Sequence, residues 1–286
     1  MQIAAASEPG SPDKPNEDGV VAAVHMAAVL DGATVRTDTG CIHGVPWFVE
    51  HLARSLTEHQ EMSPADALAA AITETAAAHR STCDLSHPGT PSAAVAIAQV
   101  HDDSLRYLVL GDVTLALDTT DGLRVITDNR VNSTATAERA AADALPTDSP
   151  EKAEALVRMK HAELAARNVP GGFWVAAADP AAVDHSLTGE VSLSSIRRAI
   201  LLTDGATRAV MPFMLHDWPG IFSAVANEGP GGIIKQVRAA EDADPAGYRH
   251  PRNKIHDDAT VAVITPLGRT MSTICTHARP HPNVSA

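Results

Sequence analysis

The sequence predicts an α+β fold, with antiparallel strands and amphipathic helices in the same chain. Three observations carry this. Two apolar runs, Ala27-Ala28-Val29-Leu30 and Ala199-Ile200-Leu201-Leu202, read as buried strands that stop at turns, Asp31-Gly32 directly and Asp204-Gly205 after Thr203. Three strand-like pieces, Ser92 to Val100, Leu105 to Leu110 and Val113 to Leu117, follow one another with short polar breaks and read as an antiparallel meander. Elsewhere the apolar residues recur at three- and four-residue steps, which is the period of a helix packed on one face.

In chain order, residues 19 to 30 suit a pair of buried strands, or one strand and its turn, with His25 as a satisfied core residue. Phe48, Val49, Leu52, Ala53 and Leu56 define an amphipathic helix from Trp47 to His59. Ser63 is placed to cap a second helix, with Pro64 at its first position and an alanine-rich run to about Arg80. Residues 128 to 150 are polar and lack a clear period, so a surface insertion is expected there. Ser149-Pro150-Glu151 opens a helix running to about Arg167, and Phe173 to Ala177 reads as a strand. Helical stretches near Phe222 and from Ile233 to Ala240 precede an exposed loop around Pro245 to Asn253 and a last strand, Thr260 to Ile264.

With 286 residues the chain is long enough for a large core, and one domain is expected because candidate acidic residues lie near both ends of the sequence. Acids outnumber bases 35 to 22, a net charge of -13, which argues against nucleic acid as a partner, since phosphate backbones are gripped by clustered Lys and Arg. Cys41, Cys83 and Cys275 are odd in number and widely spaced, fitting a reducing interior and structural roles. The first residues lack a basic n-region, and no apolar run approaches bilayer length, so a soluble, cytoplasmic protein with no membrane partner is expected.

A carboxylate at a strand end sits on a rigid base with its oxygens free, which is how a protein holds a hard divalent cation. Singly, each acidic motif is a common turn. Together, Asn16-Glu17-Asp18, Val29-Leu30-Asp31-Gly32, Val109-Leu110-Gly111-Asp112, Leu201-Leu202-Thr203-Asp204-Gly205 and Asp257-Asp258-Ala259-Thr260 resemble the type 2C metal-dependent serine/threonine protein phosphatases, over roughly residues 14 to 265. The resemblance implies a four-layer α-β-β-α sandwich, two central antiparallel sheets flanked by helices. It implies one phosphatase-like catalytic domain over 1–265, while the Pro, His, Ser and Thr content of 266–286 reads as a flexible tail. Two Mn2+ or Mg2+ ions are implied as cofactors: Asp31 would bridge them, Glu17 and the carbonyl of Gly32 would complete the protein ligands of one, and Asp204 and Asp257 would hold the other. Asp18 would orient metal-bound water without touching the metal. Asp112 is read as structural ahead of a third-metal ligand, and Asp258 as a turn former.

The chain departs from the family's pattern where a phosphate-binding arginine usually precedes the Glu-Asp pair: Asp13 stands there, with Lys14 beside it. Lys14 supplies only a point charge, and Arg36 is the alternative guanidinium if its turn faces the metals. His256, directly before Asp257, is the candidate acid for the leaving alkoxide. Cys41-Ile42-His43 invites a nucleophile or metal reading; no second thiol is nearby, which argues against zinc, and a turn leading into a helix is preferred to a Cys-His dyad. His43, His51 and His59 are assigned no metal. No nucleotide-binding glycine loop and no serine-hydrolase elbow is present.

The expected activity is therefore a metal-dependent phosphoric monoester hydrolase acting on phosphoserine or phosphothreonine in a phosphoprotein. Two alternatives stay open: hydrolysis of a small phosphate or other ester on the same scaffold, and a catalytically weak phosphatase-like binding module. Oligomeric state is left open.

Overall fold

The apolar runs are continuous because most of their strands are buried on both faces. Successive side chains of a strand point to opposite sides, and the computed structural model, which describes residues 1–265, shows where each side goes. Ala27 and Val29 pack into the layer between two sheets, while Ala28 and Leu30 face a pair of helices. Ala199, Leu201, Ala262 and Ile264 meet the first set from the opposing sheet, and Ile200, Leu202, Val261 and Val263 face a second pair of helices. Burying a Leu or Ile in this way contributes about 1.5–3 kcal/mol.

The elements run β1 (Gln2–Glu8), β2 (Asp18–Ala22), β3 (Met26–Gly32), α1 (Gly44–Glu58), α2 (Pro64–His79), β4 (Ala93–His101), β5 (Ser104–Leu110), β6 (Thr114–Thr119), β7 (Gly122–Thr127), α3 (Thr136–Asp143), α4 (Pro150–Ala166), β8 (Leu187–Ser192), β9 (Ile196–Leu202), α5 (Asp204–Thr207), α6 (Trp218–Glu228), α7 (Pro230–Asp242) and β10 (Ala259–Thr265). One five-stranded sheet has the order β1-β10-β9-β6-β7 and the other β2-β3-β4-β5-β8. All neighbours are antiparallel. Helices α1 and α2 cover the second sheet, and α6 and α7 cover the first. This is the α+β sandwich of two flanked sheets that the resemblance implies.

Helix starts follow local rules. Ser63 accepts a hydrogen bond from the Asp66 amide with Pro64 in the first turn of α2, and Ser149 does the same for Lys152 ahead of Pro150 in α4.

Several expectations are corrected. The three pieces between Ser92 and Leu117 do not form one meander: β4 and β5 pair, but β6 crosses to the other sheet and lies between β9 and β7. Gly111, at φ +87°, and Asp112 make that crossing. Phe173 to Ala177 forms only isolated bridges, at Phe173 and Ala176, because the side-chain amide of Asn168 bonds both the N–H and C=O of Val175 in place of a neighbouring strand. Within 128–150, a 3-10 turn at Asn129–Ser133 and helix α3 replace the irregular segment expected, and Ala142 is fully buried against Ala155, Leu156 and Met159 of α4. His25 is exposed in the β2–β3 turn, near Glu61, not in the core.

Strands β1, β7 and β8 carry little apolar pattern in sequence. All three are sheet edges, where one side lacks a partner and little need be buried. The expected C-terminal tail, 266–286, lies outside the described residues. No helix among the described residues is long and apolar enough to cross a membrane.

Candidate active site

Asp18 and Asp31 face each other at the paired ends of β2 and β3. Asp204 opens α5 immediately after β9, and Asp257 stands just before β10, so both strands of the other sheet end at the same edge. The two Asp-Gly turns meet there: the Asp204 amide donates to Asp31 Oδ2 at 3.0 Å. Each glycine is required by a close approach. A Cβ on Gly32 would run into the Glu17 carbonyl and Val45, and one on Gly205 into the Asp258 carbonyl. Glycine after each aspartate thus admits the backbone that bears the next acid.

Asp31, Gly32, Asp112, Asp204 and Asp257 line a cleft of about 230 Å3, together with Thr34, Arg36, Arg139, Lys160, Glu163, Arg167 and Lys254. Burial pushes Asp31 well above the usual carboxylate range, with Asp204, Asp18 and Asp112 adding repulsion. Asp204 is raised by burial and by Asp257. Asp112 is pushed up to about 7, by burial first and then Asp204. Crowded, desolvated carboxylates of this kind call for positive charge. They are spread along the wall: among the described residues, no three of these acids bring oxygens within 4.8 Å of one another.

Asp257 already has such charge. Burial would raise its pKa, but Lys254 and Arg208 outweigh that and hold it below the usual range. Lys254 Nζ bonds Oδ1, Arg208 donates to Oδ2 at 2.7 Å, and Arg238 donates to the Asp257 carbonyl at 2.6 Å. Glu241, fully buried, joins the two arginines at 2.5 and 2.8 Å. Asp258 is more than a turn former: its carboxylate accepts from the amides of Gly10 at 2.6 Å and Glu17 at 2.8 Å, which sets the Glu17 segment against β10.

The other predicted site residues divide. Glu17 reaches the site edge, where Thr34 donates to its Oε2 at 2.8 Å. Arg36 lines the cleft and bonds the Asn253 carbonyl at 3.3 Å. Asp18 does not line it: at 9% exposure it accepts from the Thr203 hydroxyl at 2.8 Å, and Thr203 accepts from the Thr260 amide, so Asp18 ties the two sheets together. Lys14 is exposed outside the cleft. His256 also stands apart, its Nε2 2.8 Å from Asp242 on α7, so proton donation into the cleft is not what its position serves.

Sequence reading missed the basic wall supplied by α3 and α4. Arg139 is paired with Glu163 at 2.7 Å, and Arg167 is spent on the carbonyls of Pro88 and Thr90 and on Ser92. Lys160 makes no hydrogen bond or ion pair among the described residues, and burial, helped by Arg167 and Arg36, lowers its pKa. The one available signal was a Lys three residues before a Glu on a capped helix, which has many ordinary explanations. Cys41 does have a second thiol nearby, contrary to the sequence reading: Cys83 Sγ lies 2.9 Å away.

No family model matches the sequence, and no curated protein does. Solved structures match over nearly the whole length. The catalytic domain of the serine/threonine protein phosphatase PstP, in complex with two manganese ions, aligns at TM-score 0.53 and 17% identity over 92% of this chain and 96% of that one. The PPM Ser-Thr phosphatase MsPP from Mycobacterium smegmatis, in complex with cacodylate, aligns at 0.52 and 16% over 93% and 98%. The serine/threonine phosphatase Stp1 from Staphylococcus aureus aligns at 0.54 and 13% over 94% and 96%. These likenesses establish the fold.

Proposed function

We propose that the chain, built on the fold of the PPM-type phosphatases, is a divalent-metal-dependent hydrolase of phosphoserine or phosphothreonine in proteins. One observation carries this reading: Asp31 and Asp204, from different sheets, meet in a cleft that Arg36 and Lys160 also line. The donor set is all oxygen and suits hard cations such as Mn2+ or Mg2+. By the family resemblance two ions would share Asp31, with Glu17 and the Gly32 carbonyl toward one and Asp204 and Asp257 toward the other, and the acids would have to draw closer together to hold them. PstP, a structural neighbour, holds two manganese ions. When bound, such a pair supplies charge for the phosphoryl oxygens and a water acidic enough to attack phosphorus.

The chain's own residues supply the rest. Arg36 and Lys160 take the place of the arginine missing near Asp13 and hold the outer phosphate oxygens, Arg36 by its planar fork and Lys160 by a point charge. Asp258, through the Glu17 amide, and Arg208, through Asp257, keep the acids in position. The test is hydrolysis of a chromogenic aryl phosphate by metal-stripped protein with and without Mn2+, beside Asp31→Ala and Asp204→Ala. Activity that requires Mn2+ and vanishes in both variants supports the reading; activity retained in either overturns it. Comparing phosphopeptides with small phosphate esters then separates protein from small-molecule substrates.

One observation favours a second reading, a catalytically weak module. Both carboxylate oxygens of Asp257 are engaged by Lys254 and Arg208, which compete with a metal for that ligand. Calorimetry would favour this reading if Mn2+ binds weakly to wild-type protein.

A further inference from the structure

Where the loop before α1 meets the end of α2, three soft donors come together. Cys41 lies in the loop between β3 and α1, and His79 and Cys83 lie at the end of α2 and just beyond it. Their ligand atoms all fall within 4.8 Å of one another, the one such group of three among the described residues. None of the three lines the cleft. We propose that Cys41, His79 and Cys83 form a zinc site of two thiolates and one imidazole, with solvent in the fourth position.

The donor chemistry selects the metal: thiolate and imidazole suit Zn2+, whereas the oxygen ligands of the cleft suit Mn2+ or Mg2+. Cys41 Sγ and His79 Nδ1 stand 3.5 Å apart. With Zn–S near 2.3 Å and Zn–N near 2.0–2.1 Å, a tetrahedral edge between them is about 3.5 Å. The two sulfurs, at 2.9 Å, have to open by under about 1 Å, and Cys83 is only half-buried. His79 is 1% exposed, and its Nδ1 already faces the Cys41 sulfur.

The site also has a purpose in the fold. The Asp84 amide bonds the Gly40 carbonyl at 2.9 Å, and His43 bonds Thr82 at 3.1 Å, so the loop already docks on the end of α2. That loop begins with Thr34, which holds Glu17, and Arg36, which lines the cleft. A zinc ion at its far end would fix the loop's path.

The test is Co2+ substitution of the full chain, because a thiolate-to-cobalt charge-transfer band arises only from sulfur ligation. Wild-type protein and Asp31→Ala should both show the band, and added Zn2+ should bleach it. Cys41→Ser and Cys83→Ser should each abolish it and weaken Zn2+ binding, read by competition with a chromogenic chelator, by at least about 100-fold. Circular dichroism of Cys83→Ser, a half-buried position, checks that the fold is kept. A band missing from wild type, or surviving both cysteine changes, would overturn the site. So would recovery of a Cys41–Cys83 disulfide from Zn2+-saturated protein exposed to air, which would make the pair a redox device. The band in Asp31→Ala separates this outcome from the fate of the phosphatase reading.

Discussion

The backbone N–H of Asp204 donates to Oδ2 of Asp31 at 3.0 Å, joining residues 173 positions apart in sequence. Each lies at the end of a central strand, β9 in one sheet and β3 in the other, so the bond fixes the spacing of the sheets where the acids collect. The Asp31 carboxylate is thus aimed by the backbone that carries Asp204.

Replacing Asp31 by Ala should reduce Mn2+-dependent aryl phosphate hydrolysis by at least about 100-fold, the scale of losing one preorganised electrostatic group. The metal-free variant should unfold at a higher temperature than metal-free wild type, because a desolvated carboxylate facing Asp204, Asp18 and Asp112 is gone. Steady-state kinetics and thermal unfolding in chelator check both parts.

Stability of the metal-free protein should fall as pH rises between about 4 and about 7. Asp31, Asp112 and Asp204 all bind their protons more tightly folded than unfolded, so the native state holds more protons across that window and deprotonation favours unfolding. Asp257, held low, acts the other way only at more acid pH. Asp112→Asn should flatten the profile near pH 7. Unfolding temperatures in chelator at several pH values, repeated with Mn2+, provide the comparison; a rising profile without metal would contradict the assignment.

Lys254→Ala should tighten Mn2+ binding by about tenfold. It frees one oxygen of Asp257 from a charge-assisted bond worth about 1.5–3 kcal/mol, and about 1.4 kcal/mol corresponds to a factor of ten. Titration calorimetry of wild type and variant reads this directly. Weaker binding would mean that Lys254 positions Asp257 for the metal instead of competing with it.

Lys160→Ala should raise KM for a phosphopeptide by about tenfold with a smaller change in kcat, the pattern of lost ground-state binding. Arg36→Ala should do the same, and Lys14→Ala, exposed and outside the cleft, should change neither constant. Initial rates over a range of substrate concentration separate the three.

Gly205→Ala should destabilise the fold by about 1–3 kcal/mol, since the new methyl meets the Asp258 carbonyl and the backbone has to shift. Urea titration gives the magnitude. Because Asp258 also holds Glu17, hydrolysis should fall further than stability alone explains.

Much of the fold was legible because it rests on local order. The continuous apolar runs Ala27 to Leu30 and Ala199 to Leu202, the caps at Ser63 and Ser149, and the Asp-Gly turns depend only on near neighbours in the chain, so they identify strands, helices and strand-end acids directly. Edge strands such as β7 were hidden because they bury little, and α3 because its one fully buried residue is Ala142, which carries almost no apolar signal. The tertiary structure alone decided which charges meet. Lys160 reaches the cleft from α4, Arg208 and Lys254 converge on Asp257, and Asp18 turns from the cleft to Thr203, while Cys83 comes to Cys41 from the end of α2. Those relationships depend on how sheets and helices stack, and a side chain's partner across a packed interface leaves no periodic mark in the sequence on either side of it.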